Sequence, residues 1–174
     1  MLRITCVFLL LICGVANAGM VDDQFAKGAL GIAWGTPLVE VQAKYPHGLT
    51  WDTNGSDGTF FAYELHLIEN PFGIGDAGVH VHFYFNKEEK LERIYFMFDY
   101  DQRDDALYRV GELIGQDYIP RDIGKELSYK WRATTPVSVV MYVGKTRHYG
   151  WVELCVDGRE VLKLQEWEAK HFGK

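Results

Sequence analysis

The sequence predicts an α+β domain: an antiparallel β-sheet with two short helices covering one face, in the order helix, three strands, helix, four strands. Three observations point there. Most of the chain is divided into short stretches with two-residue alternation or enrichment in β-branched and aromatic residues, the mark of strands. Two stretches instead repeat apolar residues at intervals of three and four, and each ends near a glycine or proline. No linker rich in Pro, Gly or Ser divides the chain, so residues 19–174 read as a single domain.

The first eighteen residues read as a leader. Arg3 supplies a positive start, Ile4 to Val15 is apolar but too short to cross a bilayer, and Ala16-Asn17-Ala18 has the small-x-small form of a cleavage site. The expectation is a signal peptide cut after Ala18, which places the domain in a periplasm or outside the cell. Ile12 precedes Cys13 where a lipoprotein box requires a small residue, so lipidation is not expected. Cys6 and Cys13 would leave with the leader. Cys155 alone cannot form an internal disulfide, and its place in an expected strand marks it as a buried thiol. An exported domain without disulfides fits a bacterial periplasm better than a eukaryotic exterior. Asn54-Gly55-Ser56 matches a glycosylation acceptor, a pattern too short to alter that balance.

Residues 29–34 suggest a short opening strand. Thr36 suits a helix N-cap and Pro37 the first helical position; Leu38, Val41 and Tyr45 form one stripe, and Pro46 stops it, giving a helix over residues 37–44. Asp52 to Gly58 is turn-rich. Asp52-x-Asn54-x-Ser56 begins like a calcium loop, but Asp57 stands where that loop needs glycine and Tyr63 where it needs glutamate, so a solvated Asx/Gly loop is expected. Strands follow over residues 60–68, Val79–Phe85 and Leu91–Phe98. Between the first two lies Gly73-x-Gly75-x-x-Gly78, which leads into a strand rather than a helix and therefore lacks the context of a dinucleotide cradle.

Beyond Tyr100, Leu107, Val110 and Leu113/Ile114 mark the second helix, with Asp104, Asp105, Arg109 and Glu112 off the stripe and Gly115 as its cap. Asp99, Asp101, Asp104 and Asp105 suit a helix N-terminus and need no metal. The last third gives strands over residues 127–132, 137–143, 149–156 and 160–167, the final two joined through Asp157-Gly158 as a type I′ hairpin.

Alternation assigns faces. Phe61, Tyr63, Leu65 and Leu67, then Val79, Val81, Phe83 and Phe85, then Ile94, Phe96 and Phe98 form the core set. The opposite set is Glu64, His66, His80, His82, Tyr84, Arg93, Tyr95 and Met97, which is not an ordinary solvated face. Such a face packs within the chain or meets a partner. Tyr84, Tyr95, Met97, Trp131, Tyr142 and Trp151 are the candidate partner-binding residues, being large aromatic or soft side chains on expected strands. A second reading uses the same face for a metal. If the first two strands pair across the glycine-rich loop, His66 lies opposite His80 and Glu64 opposite His82, a set of N/O ligands suited to zinc. His148 could join only if the fold brings it there. The plainer reading is histidines partnering tyrosines on a half-exposed face. No Gly-x-Ser-x-Gly elbow or His-Glu-x-x-His helix occurs.

The chain carries 24 acidic and 18 basic residues, a formal charge of −6, with its basic residues scattered. Nucleic acid and anionic membrane surfaces are poor partners for such a chain. No second apolar run reaches the length of a membrane span.

Gly31-Ile32-Ala33-Trp34-Gly35-Thr36-Pro37, leading into a helix that closes at Tyr45-Pro46, resembles the opening of small exported bacterial domains of unknown function. More broadly, a Gly-Thr start, a short helix and antiparallel strands resemble the β-lactamase-inhibitor-protein-like architecture. The chain departs from the inhibitors in lacking paired cysteines and from related outer-membrane assembly lipoproteins in lacking a lipobox. The resemblance implies a protein-binding sheet face and transfers no individual residue. The resulting expectation is an exported, non-catalytic protein-binding domain: an inhibitor, immunity protein or envelope accessory factor, with no cofactor. An exported metal-dependent enzyme using the histidine cluster is the alternative.

Overall fold

The structure, a computed structural model, describes residues 20–55, 57–67, 70–74, 78–124, 126–146 and 149–173. The expected leader, the middle of the glycine-rich loop and His148 lie outside the described residues.

Residues 20–25 form a helical turn, and a small hairpin of β1 (Gly28–Ala29) and β2 (Ile32–Ala33) follows. Helix α1 (Leu38–Lys44) then leads into β3 (Leu49–Asp52), β4 (Phe61–Leu67), β5 (Val79–Phe85) and β6 (Leu91–Phe98). A 3-10 turn at Tyr100–Gln102 opens helix α2 (Arg103–Ile114). Strands β7 (Tyr118–Asp122), β8 (Glu126–Trp131), β9 (Ser138–Lys145) and β10 (Gly150–Asp157) come next, and helix α3 (Arg159–Phe172) ends the chain.

All eight strands from β3 to β10 form one antiparallel sheet in the order β3-β4-β5-β6-β10-β9-β8-β7. Each half is a helix followed by a four-stranded meander, and the halves meet where β6 pairs with β10. The α+β antiparallel class is thus the observed one.

Several elements differ from the sequence expectation, beginning with the opening strand, which is the β1–β2 hairpin. Residues 49–52 are a strand, where the sequence predicts no strand and a turn-rich loop from Asp52; Thr50 and Trp51 pair with Tyr63 and Ala62 of β4. Tyr118–Asp122 is a strand despite Pro120; it lies at the sheet edge, where a missing N–H leaves no partner unsatisfied. Residues 160–167 are helical, not a strand. Their Glu, Leu, Lys and Gln content favours a helix. The Asp157-Gly158 pair is accordingly no hairpin turn: Gly158 has a φ of −104°. A glycine is needed there for space, since a Cβ would sit 2.3 Å from the Trp34 ring.

The N-terminal cap of α1 also differs. Pro37 occupies the cap, and Thr36 uses its carbonyl to accept a bond from the Leu91 N–H at 3.0 Å, which ties the helix start to β6.

The core lies between the sheet and its helices. Val81, Phe83, Ile94, Phe96, Met141, Leu154 and Val156 are buried on one sheet face. Leu38 and Val41 of α1, Ala106, Val110 and Ile114 of α2, and Val161 and Leu162 of α3 join the same cluster. The helical residues buried in the structure therefore all serve one face. Trp131 belongs to it too, with its indole N–H donating to the Gly115 carbonyl at 2.7 Å. Its proposed place among the partner-binding residues is corrected: the parity of β8 turns it inward, under α2's end.

Candidate functional site

The other face is open to solvent over much of its area, and strand register arranges its side chains in rows across the sheet. One row runs Glu64, His82, Tyr95, Cys155, Val140, Lys130. The next runs His66, His80, Met97, Glu153, Tyr142, Ser128, Arg121. A third runs Ala62, Tyr84, Arg93, Asp157, Ser138. Tyr84, Tyr95, Met97 and Tyr142 of the candidate set are half-buried on this face. Trp151 shares the face near the sheet end, lying so close to Gly144 that a Cβ there would meet its ring at 2.0 Å.

Aromatic contacts hold the face together. Tyr84 meets Tyr95 edge-on with centroids 5.1 Å apart, and Trp51 meets His82 in the same manner at 5.5 Å. The Arg93 guanidinium lies 5.7 Å from the Tyr84 ring. Sequence reasoning missed Trp51 because it expected no strand over residues 49–52. It also passed over Glu153, although the alternation of Val152, Leu154 and Val156 against Trp151, Glu153 and Cys155 assigns Glu153 to this face.

The expected register of β4 and β5 is the one observed: His66 faces His80 and Glu64 faces His82. Glu64 Oε1 is 3.4 Å from His80 Nδ1 and 3.7 Å from His82 Nε2, while the His66 and His80 rings meet at 4.6 Å. Burial lowers the pKa of His82, against the pull of Glu64. As placed, no group of three or more His, Cys, Asp or Glu among the described residues is arranged to hold a metal ion.

A charged cluster closes one end of the face. The register of β6 slips at Tyr84/Phe85, and Glu92 sits in that irregularity. Arg93 is buried, with its side chain 7% exposed, and donates to Asp57 of the β3–β4 loop at 2.6 Å. Burial pushes the Asp57 carboxyl up, but bonds from Thr59 and Arg93 outweigh it and hold the group below the usual carboxylate range. Arg159 pairs with Asp157 at 2.5 Å and reaches the Asp57 carbonyl at 3.4 Å. Glu92 is different. Burial, opposed by Arg93 and Arg159, raises its pKa to about 7, and its Oε1 has no hydrogen-bond donor.

Beside this cluster is a recess of about 320 Å³ lined by Asp57, His82, Tyr84, Tyr95, Met97 and Glu153. A larger cleft, about 510 Å³, lies between the start of α2 and the ends of β8 and β9. Arg103 and Lys145 share it with Asp104, Asp122 and Glu126, and both cations lie over the Tyr100 ring.

The face offers little for covalent chemistry. Burial raises the Cys155 thiol to about 11, so it stays protonated at neutral pH and is a poor nucleophile. Its neighbour across the register is Tyr95, whose own pKa burial also raises. What the face does offer is large, partly desolvated aromatic area among its charged side chains, and such aromatic residues are enriched at interface centres. Among the described residues no helix is long and apolar enough to cross a membrane. No family model, curated protein or solved structure matches the chain.

Proposed function

We propose that this chain is an exported, non-catalytic domain that binds a protein partner through the open face of its sheet. One observation carries the reading. Tyr84, Tyr95, Met97, Tyr142 and Trp151 share a sheet face, while the buried helical residues all pack on the other. Rigid aromatic side chains contribute large contact area at small entropic cost, which is why they dominate binding hot spots. Seating them on a continuous sheet fixes their positions before a partner arrives, which lowers the cost of association. Export rests on the leader pattern of residues 1–18, and a periplasmic inhibitor, immunity protein or envelope accessory factor has the required properties.

The test is affinity capture from the envelope fraction with the wild-type chain and with a Tyr84→Ala/Trp151→Ala variant, followed by rebinding of the purified eluted protein. The expected result is one protein that rebinds the wild type and loses at least tenfold in affinity for the variant, while circular dichroism of the two is the same. A partner that binds both equally well defeats the sheet-face reading. Cell fractionation with N-terminal sequencing tests export; the expected mature chain begins at Gly19.

The metal-dependent alternative draws on the observed register of Glu64, His66, His80 and His82. It requires the imidazoles to turn from their present rotamers toward one point. Elemental analysis of protein purified without a tag, beside a His80→Ala/His82→Ala variant, decides it: metal in the wild type alone supports this reading, and none in either removes it.

A further inference from the structure

The recess on the open face has a definite chemistry. Its walls are two tyrosines in edge contact, a histidine and a methionine, and it holds the carboxylates of Asp57 and Glu153. The two acids are not equivalent. Asp57 has both carboxylate oxygens engaged, one by Thr59 and the other by Arg93. Among the described residues, no cation pairs with Glu153. The charge that acts on it is Glu126, which, together with the larger effect of burial, raises its pKa. Its neighbours across the register are Met97 and Tyr142, and its charge is felt at Tyr84. A half-buried carboxylate among aromatic rings, with a second acid nearby, is a position of negative potential that no described cation balances. Asp57 and Arg93 neutralise one another, and burial disfavours the charged form of His82.

We propose that this recess receives an arginine side chain of the protein partner, with the guanidinium stacked against Tyr84 or Tyr95 and hydrogen-bonded to the Glu153 carboxylate. The inference rests on the sheet-face reading and names the chemistry of its centre. Arginine fits for physical reasons. Its planar cation is weakly hydrated, stacks on aromatic faces and matches a carboxylate with two parallel N–H bonds. The molecule already makes one such contact, because Arg93 lies over the Tyr84 ring and is bonded to Asp57. An incoming guanidinium would repeat that pattern with Glu153, which pairs with no cation among the described residues. A net charge of −6 on the chain favours approach of a basic partner surface.

The experiment uses the full chain and needs no identified partner. The probes are capped tripeptides Gly-Arg-Gly and Gly-citrulline-Gly, which have nearly the same shape but differ in charge. Each is titrated by NMR while the resonances of Tyr84, Tyr95 and the Met97 methyl are followed. The expected result is a saturable shift of those three with the arginine probe, at least about tenfold weaker binding of the citrulline probe, and a similar loss in Glu153→Gln. The Gln side chain keeps the size of Glu, and unchanged amide shifts elsewhere confirm the fold. Equal binding of both probes, an unaffected Glu153→Gln variant, or no saturable shift at the recess overturns the inference. Its failure is distinguishable from failure of the sheet-face reading. A captured partner that depends on Tyr84 and Trp151 but not on Glu153 leaves the sheet-face reading intact and removes the arginine.

Discussion

Phe83 and His82 are neighbours in one strand, yet they belong to different environments. Phe83 is fully buried, stacked on Tyr45 and in tilted contact with Tyr63, whereas His82 looks out over Trp51 and Glu64. The same contrast holds strand by strand. Inward positions of β5, β6, β9 and β10 are Val, Ile, Leu, Met and Phe, packed under helices. Outward positions are mostly aromatic, polar or charged, among them His82, Tyr84, Arg93, Tyr95, Tyr142, Trp151 and Glu153, and no helix is described over them. The inner face draws its stability from burial, the outer face from neighbours of the same sheet. A residue's parity therefore forecasts whether its loss is read first in folding or in recognition.

The largest expected effect is on the inner face. Phe83→Ala removes a fully buried ring and leaves a cavity, so it should cost roughly 3–5 kcal/mol of unfolding free energy in urea denaturation. A loss below about 1 kcal/mol would mean that the inner face is not the core.

Next comes the lock between the outer face and its loop. Asp57→Asn leaves a buried guanidinium with only the more distant Glu92 carboxylate, 3.7 Å away, and a loss of about 2 kcal/mol is expected, softened because Asp57 is itself half-exposed. The β3–β4 loop should also exchange its amide hydrogens faster in that variant. Unchanged exchange would show that the ion pair does not hold the loop.

Glu92 gives a pH-dependent test between the two faces. Its carboxyl holds a proton more tightly in the native state than in the unfolded chain, between about 4.5 and about 7. The folded protein then binds more protons than the unfolded one in that window, so Glu92 makes stability fall as pH rises through it. His82, with its lowered pKa, acts in the opposite sense, so the informative quantity is the difference between two proteins. Glu92→Gln should match the wild type in thermal stability near pH 5 and exceed it at pH 8, by an amount on the order of 2 kcal/mol. Equal stability at both pH values would show that Glu92 is solvated or fully paired.

The smallest effect is expected at Tyr84. Tyr84→Ala loses edge contacts on a half-buried face and should lower stability by about 1 kcal/mol or less. A cost near that of Phe83→Ala would mean that the two faces are equally structural.

The sequence made the inner face legible because strand alternation is a local signal. β5 and β6 match their expected bounds, and the pairing of His66 with His80 followed from joining two consecutive strands. What was hidden depended on distant partners. Trp131 has the composition of an interface residue, and only the end of α2 above it shows that it is core. Asp-Gly before α3 reads locally as a turn, but Gly158 is set by Trp34, far away in the chain. The Asp57–Arg93 bridge joins a loop to a strand 36 residues on, a separation no periodicity reports. Glu153 was visible by parity, but its surroundings, in which no described cation pairs with it, are a property of the assembled face.

The most direct test of the central claim places a photo-crosslinking amino acid at position 84 on the open face and, in a second protein, at position 108 on the exposed side of α2. Irradiation of each in the envelope fraction is followed by mass spectrometry of the products. The account expects one discrete crosslinked protein from position 84, absent from position 108, and competed away by the unlabelled wild-type chain. The same product from both positions, or a product only from position 108, would contradict it.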